Sequence, residues 1–234
     1  MWNAFKSVLK RRCPRLVEGY RQLRRAARRR KLARKSAADI FSSIYHAREW
    51  GPHESASGAG STLDFTGPLR RELPLLLRRL GVRRLLDAPC GDFHWMRHVP
   101  LDLDEYVGAD IVPDLIASLR HELAQPGRRF VLLDLIREPL PDADALFCRD
   151  CLIHLSHGDC LKLLDNFRRG SIPWLITTTA PDVTLNEPIA TGEFRRVNLC
   201  LPPFNLPPPL ELLDDTGPGC PPRMLGVWRR DQIG

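Results

Sequence analysis

The chain has no apolar stretch of the eighteen or so residues that a membrane-spanning helix requires, and charge occupies the N-terminal positions where a secretory signal would carry its apolar core. Both absences point to a cytoplasmic protein without a transmembrane segment. No internal repeat is visible. The cysteines, Cys13, Cys90, Cys148, Cys151, Cys160, Cys200 and Cys220, are odd in number and scattered over 234 residues. That argues against a disulfide framework and for reduced thiols. The turn after the apolar run at 85–87 reads APCGDF, so it also lacks the G-x-G-x-x-G glycines that let a pyrophosphate approach the backbone. Its acid, Asp92, would repel a phosphate, which sets nicotinamide dinucleotides aside.

What is present suits one α/β domain with appendages: an apolar share of 43% over this length is enough for a sizeable core. Charge divides by position. Residues 1–35 hold 14 Lys/Arg and one acid, Glu18, against 21 bases and 27 acids in the remainder, so an arm of +13 precedes a body of −6. The arm mixes Trp2, Phe5, Val8 and Leu9 with arginine clusters, and Pro14 is expected to break it into two short helical pieces. Such a segment suits an anionic lipid surface, a nucleic-acid backbone, a protein partner, or no partner at all as a solvated tail. We divide the chain into this arm, residues 1–38, and one domain, residues 39–234.

Within the domain, residues 55–61 are rich in Gly and Ser and read as loop. Residues 69–80 read as an amphipathic helix that Pro74 either starts or kinks and Gly81 stops. Strands are predicted near 83–88, 105–110, 129–134, 144–149 and 173–179, with helices near 93–99, 113–123 and 158–169. Short apolar strands alternating with helices imply a parallel sheet. LELLDDT and MLGVWRR, separated by GPGCPP, read as a terminal hairpin.

In an open parallel sheet, ligands bind outside the carboxyl ends of the strands. The first strand ends at Asp87, followed by a small-residue turn with Gly91, where the backbone has room for a ligand. The second ends at Asp110, 19 residues after Gly91, a spacing that suits a carboxylate binding two ribose hydroxyls. The third ends at Asp134, and the fourth runs into Cys148-Arg149-Asp150. Acids at three successive strand ends are hard to explain as helix caps alone.

These residues resemble the class I S-adenosylmethionine-dependent methyltransferases, whose first motif has the form D-x-G-x-G-x-G and whose second strand ends in a ribose-binding acid. Over about residues 40–230 the chain looks most like a bacterial group with D-x-P-C-G-D-F-x-W-M, then G-A-D-I, then C-R-D-x-L-x-H-L. The resemblance implies a Rossmann-like, mostly parallel seven-stranded sheet ending in an antiparallel hairpin, S-adenosyl-L-methionine as cofactor, and a methyl acceptor. It places Asp87, Pro89 and Gly91 at the amino acid end of the cofactor, Asp110 at the ribose and Asp134 at the adenine amine. Ile111, Leu135 and Arg149 are placed against the same cofactor. Gly58, Gly60 and Ser61 either fold over it or belong to a linker. The chain departs from the common motif at Pro89 and Phe93, where glycines are usual, which implies a different grip on the methionine end.

Other residues carry weaker signals. Cys148, Cys151, His154, His157 and Cys160 are all of metal-binding types, but one run without a second knuckle does not converge on an ion, and no metal is expected. Leu201-Pro202-Pro203-Phe204 resembles an amine-binding signature displaced from its usual place, so Asn198, Phe204 and Asn205 are retained as pocket-wall candidates. Methyl transfer needs a base when the acceptor arrives protonated. His154 leads, followed by His94 and Asp150. Trp95 and Met96 are expected in the core. The function implied is methylation of a small molecule or glycan-like metabolite. The arm keeps a nucleic-acid substrate open, and the missing glycines keep open a module that binds the cofactor without catalysis.

Overall fold

The computed structural model describes residues 28–30, 32, 34–51 and 54–233. The chain divides into two compact units, Met1–Ser36 and Ala37–Gly234. In the first, residues 28–30 and 32 are helical; the expected break at Pro14 lies outside the described residues.

The second unit is built on one seven-stranded sheet in the order β3-β2-β1-β4-β5-β7-β6. Its strands are β1 (Arg84–Asp87), β2 (Glu105–Asp110), β3 (Arg128–Leu132), β4 (Ala145–Cys148), β5 (Trp174–Thr179), β6 (Glu211–Asp214) and β7 (Met224–Arg229). Strands β1 to β5 pair in parallel, whereas β7 runs antiparallel to both β5 and β6. The helices are α1 (Ala37–Ala47), α2 (Gly67–Arg79), α3 (Pro113–Leu123), α4 (His157–Arg169) and the short α5 (Arg230–Ile233).

The strands are apolar on both sides because both sheet faces are covered. Leu86, Leu146 and Cys148 face one core with Leu163, Leu164 and Phe167 of α4. Their neighbours Leu85, Ala145 and Phe147 face the other, with Leu69, Leu73 and Leu76 of α2 and Leu115, Ile116 and Leu119 of α3. Phe41 of α1 packs against both. Burying these side chains contributes about 1.5–3 kcal/mol each.

Three local features differ from expectation. Helix α2 begins about two turns before Pro74 and runs through it, with Pro68 in its first turn, where a missing N–H costs nothing. The crossover between β1 and β2 holds only the 3₁₀ turn Met96–His98 instead of a helix over 93–99. Phe93 is left-handed (φ 56°), and the Asp92 carboxylate accepts the His94 N–H at 3.2 Å. A side chain that captures a backbone donor competes with helix formation. Strand β3 stops at Leu132, two residues before Asp134, although the Leu133 N–H still reaches Asp110 O at 3.0 Å. No described helix is long and apolar enough to cross a membrane.

Candidate active site

The parallel strands deliver their carboxyl ends to one sheet edge, and a two-lobed cleft opens there. An apolar lobe of roughly 770 Å³ is lined by Phe41, Tyr45, Ile111, Leu133, Asp134 and Leu135, among others. A polar lobe of roughly 1000 Å³ is lined by Gly58, Gly60, Ser61, Asp87, Arg149 and Arg223, among others. Trp50, Ser57, Pro89, Gly91, Asp110, Asp150 and His154 border both. Apart from His94, every candidate named from the sequence for cofactor binding or catalysis thus lies on this one cleft.

The turn after β1 is organised differently from expectation. Gly91 has φ 53°, and a Cβ placed on it would lie 2.2 Å from Ser57 Oγ. The room above Gly91 is therefore filled by the chain itself. Its N–H donates to Asp110 Oδ2 at 3.2 Å, so it orients an acid and is not free for a ligand. Asp92 fastens the overlying segment: its carboxylate accepts Ser55 Oγ–H at 2.9 Å and the Ala56 N–H at 2.7 Å, and its own N–H donates to Ser57 Oγ at 3.2 Å. The Gly/Ser stretch is thus a strap tied across the turn. Phe93 points away into the core against Tyr106 and Phe130, so its bulk does not enter the cleft. Gly91→Ala is expected to cost about 1–2 kcal/mol from the left-handed backbone alone, measurable by urea unfolding, and displacement of Ser57 adds to it.

The strand-end acids occupy three environments. Asp110 is buried, with Oδ1 accepting the Val112 N–H at 3.0 Å and Oδ2 that of Gly91. Burial raises its pKa to about 6, although backbone donors oppose the shift. Asp87 accepts the Tyr106 hydroxyl proton, and burial raises it to about 7 against that bond and the Arg149 charge. Asp134 sits at the rim of the apolar lobe, accepting the Ile136 N–H at 2.9 Å.

A buried ionic network floors the polar lobe. Arg149 forks onto Asp215 through Nε (2.9 Å) and Nη2 (3.1 Å), and Nη2 also donates to Gly60 O at 2.7 Å. Arg223 Nη1 grips both Asp150 oxygens at 3.0 and 2.9 Å, and its Nη2 lies 2.8 Å from Asp215. The Phe65 ring lies under both guanidiniums. Burial pushes Asp150 up, but Arg149 and Arg223 together hold it below the usual carboxylate range.

His154 ends the 3₁₀ turn Leu152–His154 that follows β4. Its Nδ1 lies 3.0 Å from Glu193 O, a contact that places the proton on Nδ1 and leaves Nε2 as an acceptor. Burial disfavours the imidazolium and lowers its pKa, which favours the neutral ring. Trp50 and Phe194 pack on it with ring centroids 5.5 and 5.7 Å away.

Some expectations fail. Asn198 and Asn186 tie the 181–202 segment to itself, and Phe204 is buried against Arg195 and His157; neither they nor Asn205 line the cleft. His94 also lies off it, with Nε2 3.4 Å from Glu54. Trp95 is core on one side but borders the polar lobe beneath Arg149. Cys148 is buried in β4, and Cys160 Sγ faces Leu152 O and the Arg195 guanidinium. Among the described residues no three metal-binding side chains converge.

The architecture recurs in solved structures. Magnesium protoporphyrin IX methyltransferase from Synechocystis PCC 6803, with bound S-adenosylhomocysteine, superposes with a TM-score of 0.59 at 15% identity, over 82% of this chain and 97% of that one. This is a Rossmann-like class I methyltransferase fold. A Burkholderia thailandensis 1,6-didemethyltoxoflavin-N1-methyltransferase with its substrate and S-adenosylhomocysteine gives 0.58 at 16% identity, over 82% and 86%. Human N-acetylserotonin methyltransferase in complex with S-adenosylmethionine gives 0.55 at 14%, over 83% and 60%. No protein-family model and no curated protein matches the chain.

Sequence reasoning missed Trp50, Phe194, Asp215 and Arg223 in this methyltransferase fold. The last two were within reach. Because β7 inserts antiparallel between β5 and β6, the end of β6 and the start of β7 lie at the same edge as the ends of β1 to β5. Asp215 and Arg223 are the residues immediately beyond those two strand ends.

Proposed function

We propose that this chain is an S-adenosyl-L-methionine-dependent methyltransferase acting on a small-molecule or glycan-like acceptor in the cleft. The observation that carries the reading is Asp110. Its carboxylate sits where the two lobes meet, oriented by two backbone donors. A carboxylate has about four acceptor sites, so two remain for a vicinal pair of ribose hydroxyls. The other residues present fit the same group. Ile111, Leu133 and Leu135, with Asp134 at the rim, offer an apolar slot with one acceptor for an adenine amine. Asp87 lies toward the polar lobe, where an ammonium group would be neutralised.

The cofactor supplies an electrophilic methyl group on a positively charged sulfur. The chain's own residues align the acceptor, keep water out and take its proton, and alignment is the largest of these contributions. His154 Nε2 is the acceptor for that proton. Asp150 is a poor base because its carboxylate is held by two arginines. We place the protein in the cytoplasm; the described cysteines, Cys90 to Cys220, are all free thiols, as a reducing compartment requires. The basic arm at 1–35 adds affinity for an anionic surface on grounds of charge alone.

Calorimetric titration with S-adenosylmethionine tests the reading. Asp110→Ala is expected to weaken binding by about 1–3 kcal/mol. In the wild type, affinity is expected to rise with pH through the window set by Asp110 at about 6 and Asp87 at about 7, because their ionised forms attract the cationic cofactor. Equal affinity in both proteins, or a flat pH profile, overturns the site assignment.

A further inference from the structure

Resting on the reading of this cleft as a methyl-transfer site, we propose that its acceptor is an uncharged, hydroxylated ring, the chemistry shared by a neutral sugar and a phenol. Three independent features of the polar lobe converge on that class.

The first is an aromatic platform. Phe194 is 63% exposed, yet it lines the cleft and lies beside the candidate base, with Trp50 also packed on the His154 ring. Aromatic faces so placed bind the flat or C–H face of a ring while leaving its substituents toward the base.

The second is charge. Arg149 and Arg223 are each bound by carboxylates, and Asp150 and Asp215 match them in number. Asp92 lines the same lobe, while Asp87 is left to the cofactor's ammonium group. A phosphate or carboxylate on the acceptor would enter a lobe in which both arginines are already paired and the Asp92 carboxylate stands nearby, a repulsive element that selects for neutral molecules.

The third is the state of His154. An imidazole whose Nδ1 faces Glu193 O at 3.0 Å, and so carries its proton there in the neutral form, offers Nε2 as an acceptor, which serves a nucleophile that arrives carrying a proton, as a hydroxyl does. The acceptor oxygen gains the methyl carbon and gives its proton to Nε2. The leaving sulfur keeps the electron pair of the broken bond, and the imidazolium returns its proton to solvent. A hydroxyl substituent and a ring face satisfy the base and the platform together.

Tryptophan fluorescence titrations of the full chain, with S-adenosylhomocysteine present, test this class. The probes are neutral methyl glycosides, neutral catechols, and their anionic partners, glucuronate and dihydroxybenzoate. One neutral set is expected to bind, with its anionic partner at least about tenfold weaker; which set binds identifies the source. Phe194→Ala is expected to weaken the neutral probe by about tenfold without changing the S-adenosylhomocysteine affinity, and Phe194→Tyr is expected to restore it. Equal or tighter binding of the anion, no effect of Phe194→Ala, or no binding of either neutral set to a protein that binds S-adenosylhomocysteine would overturn the proposal. Failure to bind S-adenosylhomocysteine would instead remove the methyltransferase reading.

Discussion

His154→Gln is expected to lower the single-turnover rate of methyl transfer to a hydroxyl acceptor by about 10²–10⁴-fold. Glutamine preserves most of what a structural histidine would do here. It fills similar space between Trp50 and Phe194, and its amide can donate to Glu193 O as Nδ1 does at 3.0 Å. The backbone contacts that fix position 154, its N–H to Cys151 O and its carbonyl to the Gly192 N–H, do not depend on the side chain. What glutamine cannot do is accept a proton. The wild-type rate is expected to fall at low pH through a pKa below the usual histidine value, because burial disfavours the imidazolium and Arg195 adds to that against the pull of Asp150. The variant is expected to lose this limb. A near-normal rate with the limb intact would make His154 a packing residue and move the base elsewhere.

The sheet was legible because both of its faces are buried. Runs such as Leu85-Leu86 and Leu146-Phe147 feed two cores at once, so they read as continuous apolar segments whatever their register. The candidate site was legible to the extent that it is local: Asp87, Asp110 and Asp134 follow apolar runs directly. Its remaining parts depend on distant partners. The glycine at 91 reads as space for a ligand until Ser57, 34 positions earlier, is seen to occupy that space. Phe93 reads as a departure that changes the grip on the methionine end, but a left-handed backbone turns it into the core. The strap closes on Asp92 through side-chain hydrogen bonds that leave no periodic signature. Arg149 and Asp215 meet across 66 residues, and only the strand order brings them together.

Asp215→Ala is expected to destabilise the protein by about 3–5 kcal/mol in urea unfolding, because it leaves two largely buried guanidiniums, Arg149 and Arg223, sharing the one carboxylate of Asp150. The Asp215 side chain has 0% exposure and that of Arg149 only 4%, so solvent cannot replace the lost charge. Burial, with the Asp150 charge, holds the Asp215 carboxyl above the usual carboxylate range even though Arg149 and Arg223 pull it down. The same substitution loosens the site, since Arg149 also holds Gly60 O at 2.7 Å and Arg223 holds Asp150. Its cofactor affinity is therefore expected to fall even under conditions where the variant remains folded. A double-mutant cycle separates charge from packing: Arg149→Met in the Asp215→Ala background is expected to recover part of the loss, because an apolar pair of suitable volume can replace a buried ion pair. A cost below about 1 kcal/mol, the range of solvent-screened pairs, would mean that water reaches the network and that the strap is held chiefly by Asp92.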